Sequence, residues 1–164
     1  MPYKGLAIFI EGEHDDIFFC HPKIKNKIEQ RSGCAPTIRQ YAEEKEKGSL
    51  RLKSLKDSGR HCILVVDQAQ ESDMRRIFKN IPNVYIIVIK EIESWFLAGL
   101  TAKMCERYKL PIVNNTESIR KEDFDENIKN SEKLYILRKL MEEFNIDQAK
   151  QRNNSFKKFA MAYL

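Results

Sequence analysis

Apolar residues along this chain form two kinds of pattern, short unbroken runs and wider-spaced stripes. The first run, KGLAIFIE at residues 4–11, is rich in β-branched and aromatic residues and stops at Glu11-Gly12. Such a run predicts a strand buried on both faces, as in a parallel sheet. Residues 14–31 place Ile17, Phe18, Ile24 and Ile28 roughly on one helical face, and Ser32-Gly33 ends that helix. Residues 36–41 predict a second strand, 42–56 a charged helix, and Asp57-Ser58-Gly59 a turn. HCILVVD, residues 61–67, is the clearest strand; a helix over 70–80 and a fourth strand, NVYIIVI at 83–89, follow. Residues 90–108 then predict a helix striped by Ile92, Trp95, Phe96 and Leu100.

Strand and helix therefore alternate through residue 108, which predicts an α/β fold. Its open, mainly parallel four-stranded sheet would carry helices on both faces, joined by right-handed crossovers. Residues 110–130 are less regular, and helices are expected over 131–145 and about 154–164. With 164 residues the chain has the size of one domain. The expected layout is a core at about 4–108 and a C-terminal helical extension at about 110–164. No apolar run approaches the ~20 residues that cross a bilayer. Acids follow the first strand where a secretory signal would show a small-residue cleavage site. A soluble, cytoplasmic protein with no membrane partner is the expectation.

Charge changes this picture through its distribution. The chain carries 29 Lys+Arg and 24 Asp+Glu, for +5. Residues 21–60 hold 11 Lys+Arg against 5 Asp+Glu, and residues 150–164 hold Lys150, Arg152, Lys157 and Lys158 with no acid. The remainder is net acidic. A cationic surface beside an acidic pocket suits a phosphate-bearing partner, although basic helices are also ordinary solvated faces. Lys53, Lys56, Arg60 and Lys157 are the candidates to track a nucleic-acid backbone, giving salt-sensitive binding largely independent of sequence. Cys20, Cys34, Cys62 and Cys105 have no zinc-ligand spacing and read as reduced thiols.

In an open parallel sheet the ligand site lies outside the carboxyl ends of the strands. Three of the four predicted strands end on acids: Glu11 after the first, Asp67 after the third, and Glu91 and Glu93 beyond the fourth. Clustered carboxylates repel unless a cation neutralises them, and Mg²⁺ or Mn²⁺ with one or two carboxylates, water and phosphate oxygens is the natural candidate. Glu91 and Glu93 point about 200° apart on a helix, so one of them faces the site, with Glu93 preferred. Each acid also has an ordinary reading as a helix-start residue favoured by the macrodipole. Lys90 could neutralise an acid or the scissile phosphate. His14 could donate to a phosphate or serve as acid/base, or be a solvent-facing residue at a helix start, and Trp95 reads as core before base-stacking platform. Asn153, Asn154 and Ser155 form a helix cap whose N–H groups could also hold a phosphate.

Three segments together resemble the Toprim (topoisomerase and primase) domain family. IFIEGEHDDIFF is similar to its first motif, and ILVVDQAQESD to its second, a strand ending in an Asp-x-Asp pair. IIVIKEIESWFLAG resembles the segment after the fourth strand in Toprim nucleases of the overcoming-lysogenization-defect type and in small stand-alone relatives. The resemblance spans about residues 4–108. It implies that Glu11 is a metal ligand or the general acid/base, that Asp67 is a metal ligand, and that Asp15, rather than Asp16, is the acid of the first helix. The second motif departs from the family, because Ala69 stands where its second Asp would be. Glu71 or Asp73 could substitute, the site could be weakened, or position 69 could itself be an alteration.

The function expected on this basis is Mg²⁺-dependent hydrolysis of a nucleic-acid phosphodiester, by a hydrolase of a defence or nucleic-acid processing system. Glu11, Asp67 and Lys90 would be its catalytic residues, with Glu11, Asp15, Asp67, Glu71 and Glu93 as candidate metal ligands. The alternatives are a non-catalytic nucleic-acid or nucleotide-binding module with a degenerate metal site, and a partner subunit or homodimer in a multi-component system.

Overall fold

The computed structural model of the chain describes residues 5–41, 60–80 and 83–164. Residues 42–59, with the expected charged helix and its turn, lie outside them. Two compact units are present, one of residues 1–89 with 163–164, the other of residues 90–162. The division falls between Ile89 and Lys90, whereas the sequence pattern extends the core to about 108.

The first unit is an α/β layer. β1 (Leu6–Ile10), α1 (Glu13–Cys20), α2 (Pro22–Ser32), β2 (Pro36–Gln40), β3 (His61–Asp67), a 3-10 turn (Gln68–Gln70), α3 (Glu71–Phe78) and β4 (Val84–Ile89) follow in order. The strands form one parallel sheet ordered β2-β1-β3-β4. β1 is buried along its whole length and β3 at six of its seven residues, as their nearly unbroken apolar runs require. Chain connections run from β1 outward to β2 and from β3 outward to β4, in opposite directions. Right-handed crossovers then put α1 and α2 on one face and α3 on the other. On the α3 face Ala7, Phe9, Cys62, Leu64 and Val66 pack with Tyr41 and with Phe78 of the helix. The alternate residues Leu6, Ile8, Ile10, Ile63 and Val65 are buried on the opposite face.

Residues 14–31 read as one helix but form two. Pro22 occupies the first position of α2, where its missing N–H costs nothing, and the residue before a proline is driven out of the helical region. His21 is accordingly extended, at φ −64° and ψ 134°, and its Nδ1 accepts the Lys23 N–H at 3.3 Å. Gly33, at φ 76°, closes α2 in the left-handed conformation that glycine adopts freely.

The second unit is helical: α4 (Ile92–Ala98), α5 (Ala102–Arg107), α6 (Lys121–Asp125), α7 (Asn130–Glu143), α8 (Ile146–Arg152) and α9 (Asn154–Tyr163). The helix expected over 90–108 is interrupted after Ala98, and Thr101 caps α5 by accepting the Met104 N–H at 3.3 Å. The Arg152 guanidinium donates to the carbonyls of Leu97, Ala98 and Leu100, which satisfies the orphaned end of α4. Trp95 is fully buried against Phe156 and Phe159, its ring centroid 5.2 Å from each, so it is a core residue. No described helix is long and apolar enough to cross a membrane.

Candidate functional site

Strand order reverses between β1 and β3, because the chain leaves β1 toward β2 and leaves β3 toward β4. In open α/β sheets ligands bind in the crevice expected at such a switch point, outside the carboxyl ends of the two strands. Glu11-Gly12 follows β1 there and Asp67 ends β3. A Cβ built on Gly12 would meet no atom of a described residue within 4 Å, so among the described residues the backbone beside Glu11 is open to approach.

Each carboxylate is oriented by a nearby donor. Asp67 Oδ1 accepts the Ala69 N–H at 2.8 Å in an Asx-turn that starts the 3-10 turn. Asp15 Oδ2 accepts the Gly12 N–H at 3.2 Å, which is half of a capping box and part of the reason α1 begins at Glu13. Glu11 Oε1 accepts from Gln70 Nε2 at 3.2 Å, and Gln70 Oε1 in turn accepts the Tyr41 hydroxyl at 3.4 Å. The last two residues were not singled out by the sequence. Gln70 lies three positions beyond Asp67 and Tyr41 directly follows β2, so the order of strand ends was the only available signal for them.

Tyr41 reports how the carboxylates are arranged. Its phenol is pushed well above the ordinary tyrosine range, first by burial and then by the negative charges of Glu11, Asp15 and Asp67. All three acids therefore act on one hydroxyl. Tyr41 stays protonated at neutral pH and can only donate to Gln70 by this contact. Neither Glu11 nor Asp67 forms an ion pair with a described residue, and the second oxygen of each carries no hydrogen bond from one.

The other candidates sit elsewhere. Glu71, in the first turn of α3, pairs with Arg75 at 2.8 Å. Glu93 belongs to the second unit, where it is buried and accepts from Lys133 Nζ at 2.7 Å. Asp125, half-buried, shares that ammonium at 2.7 Å, so two acids and one lysine form a cluster. The separation of 40 positions between Glu93 and Lys133 concealed the partner from any pattern-based reading. Lys90 follows Ile89 directly and is exposed.

Among the proposed phosphate-tracking residues, Lys53 and Lys56 lie outside the described residues. Arg60 precedes β3, at the end of the strand remote from Asp67 and about 23 Å along it at 3.3 Å per residue. Lys157 lines a cleft of about 320 Å³ with Asn115, Lys150, Gln151 and Asn154 in the second unit. The N-terminus of α9 does not offer its N–H groups to a phosphate. Ser155 N–H donates to Glu117 Oε1 at 2.6 Å and Phe156 N–H to Asn153 Oδ1 at 2.9 Å, so side chains of the chain already occupy it.

Comparison with protein-family models, with curated proteins and with solved structures gave no match to this chain.

Magnesium takes oxygen ligands and commonly only one or two from carboxylates, and Glu11 and Asp67 can each supply one. Among the described residues no group of three His, Cys, Asp or Glu side chains is arranged to hold an ion. At position 69, where an Asp would extend the set, the side chain is a methyl group.

Proposed function

We propose that the crevice between the ends of β1 and β3 binds a nucleic-acid phosphodiester and hydrolyses it with Mg²⁺ or Mn²⁺, in the manner of a Toprim-like nuclease. The reading is carried by the placement of Glu11 and Asp67 at the carboxyl ends of the neighbouring strands β1 and β3, at the switch point. Glu11 and Asp67, which form no ion pair with a described residue and stand where this class of sheet binds ligands, favour a cation and a phosphate over an anionic ligand alone.

When bound, the ion would polarise a phosphoryl oxygen and lower the pKa of a coordinated water. Glu11 and Asp67 would hold it. Gln70 fixes the rotamer of Glu11, and Tyr41, by keeping its proton, fixes the amide orientation of Gln70. The Ala69 N–H fixes Asp67. The open backbone at Gly12 leaves room for the phosphate. Cleavage of single- and double-stranded DNA and RNA, assayed with and without each ion, tests this proposal. Glu11→Gln and Asp67→Asn should abolish turnover while leaving the circular-dichroism spectrum unchanged, and full activity in both would remove the site.

Ala69 favours a second reading, a module that binds nucleic acid or nucleotide without turnover because its ion shell is short of one carboxylate. Binding without cleavage, persisting in Ala69→Asp, would favour the module. Cleavage gained in Ala69→Asp would mark a weakened enzyme.

A further inference from the structure

The two edges of the sheet are unlike. β2 forms one edge with the sequence PTIRQ, which begins on a proline and carries Arg39, both of which discourage a further strand. β4 forms the other edge with VYIIVI, six apolar residues with neither charge nor proline.

The hydrogen-bond register shows which β4 groups face outward. Cys62 N–H donates to the Asn83 carbonyl at 2.9 Å, and Cys62 lies opposite Val84. In a parallel ladder, alternate residues of a strand bond to a given neighbour. Tyr85, Ile87 and Ile89 therefore direct their backbone groups to β3, while Val84, Ile86 and Val88 direct theirs away from the sheet. No described backbone group pairs with that outer row. Tyr85 is also 50% exposed.

We propose that β4 is a homodimer interface, at which a second copy of this chain adds its own β4 in antiparallel register to make one eight-stranded sheet. Antiparallel pairing requires residues with outward groups to face one another, which a two-fold axis through Ile86 satisfies. It sets Ile86 opposite Ile86 of the second copy and Val84 opposite Val88, closing about six hydrogen bonds. Tyr85 then lies across from Ile87, an aromatic and β-branched pair of the kind that stabilises neighbouring strands. Charge agrees with this register. Nothing within 84–89 is charged, so no like charges meet along the paired strands. A strand-edge contact is small, so the dimer should dissociate in the micromolar range.

Sedimentation equilibrium on the full chain up to about 100 μM tests the interface. The wild-type protein should approach twice the chain mass, and Ile86→Pro, which removes an outward N–H without touching the β3 ladder, should remain monomeric. Tyr85→Lys, placing a charge on an exposed edge position, should also be monomeric and decides the matter if the proline variant fails to fold. Monomeric wild type at that concentration, or a folded variant that still dimerises, would overturn the proposal.

Discussion

Gln70 donates its side-chain N–H to Glu11 across the crevice, at 3.2 Å, and so ties the turn after β3 to the end of β1. The same amide accepts the Tyr41 hydroxyl, which makes it the one described side chain bonded both to a candidate ion ligand and to the phenol whose proton the negative charges of the three acids favour. Removing this support should cost function more than stability.

Gln70→Ala should lower divalent-ion affinity by about 10–100-fold, the usual effect of losing a group that orients a ligand, with a thermal midpoint close to that of the wild type. Gln70→Glu sets a further carboxylate beside Glu11 and should lower the thermal midpoint of the ion-free protein by like-charge repulsion, a loss that added Mg²⁺ should relieve. Calorimetric ion titrations beside thermal melts separate the two effects.

Lys133 is buried between Glu93 and Asp125, at 2.7 Å from each. Lys133→Met should destabilise the protein by about 3–5 kcal/mol, since it leaves the buried Glu93 carboxylate and the half-buried Asp125 without the Lys133 ammonium. Adding Glu93→Gln to that variant should recover part of the loss. Urea unfolding of the single and double variants measures both changes.

His61 is buried beside Tyr85, their ring centroids 4.3 Å apart, and burial lowers its pKa below the ordinary histidine value. The unfolded chain then takes up a proton at higher pH than the native state does. Stability from this residue is complete above about pH 6.5 and declines as pH falls through that unfolded-state value. The thermal midpoint should drop between pH 7 and pH 5, and the drop should shrink in His61→Phe, as followed by circular dichroism.

Gly99 leaves no space for a side chain, because a Cβ there would run into the Phe144 ring. Gly99→Ala should cost about 1–3 kcal/mol through overpacking, and Gly99→Ala with Phe144→Leu should recover part of it. Denaturant midpoints at constant slope are the readout.

The sheet was legible because its central strands are buried on both faces, and burial of that kind leaves unbroken apolar runs in LAIFI and HCILVVD. Helix ends were less so. Pro22 and Gly99 interrupt stripes whose periodicity continues across the break, so apolar spacing alone joins α1 to α2 and α4 to α5. α6 and α8 were missed because they span five and seven residues, too few turns for a stripe. At the crevice, Glu11 and Asp67 were legible from where their strands stop. Gln70, Tyr41 and the Lys133 partner of Glu93 were not, since each acts through a contact between residues 29 or more positions apart.

The sharing of one ion by Glu11 and Asp67 is most directly tested by Mn²⁺ binding, followed by electron paramagnetic resonance on the wild-type protein and on Glu11→Gln and Asp67→Asn. One bound ion per chain, lost in each variant while the fold is kept, is the predicted result. No ion bound by the wild-type chain, or binding unchanged in both variants, would contradict it.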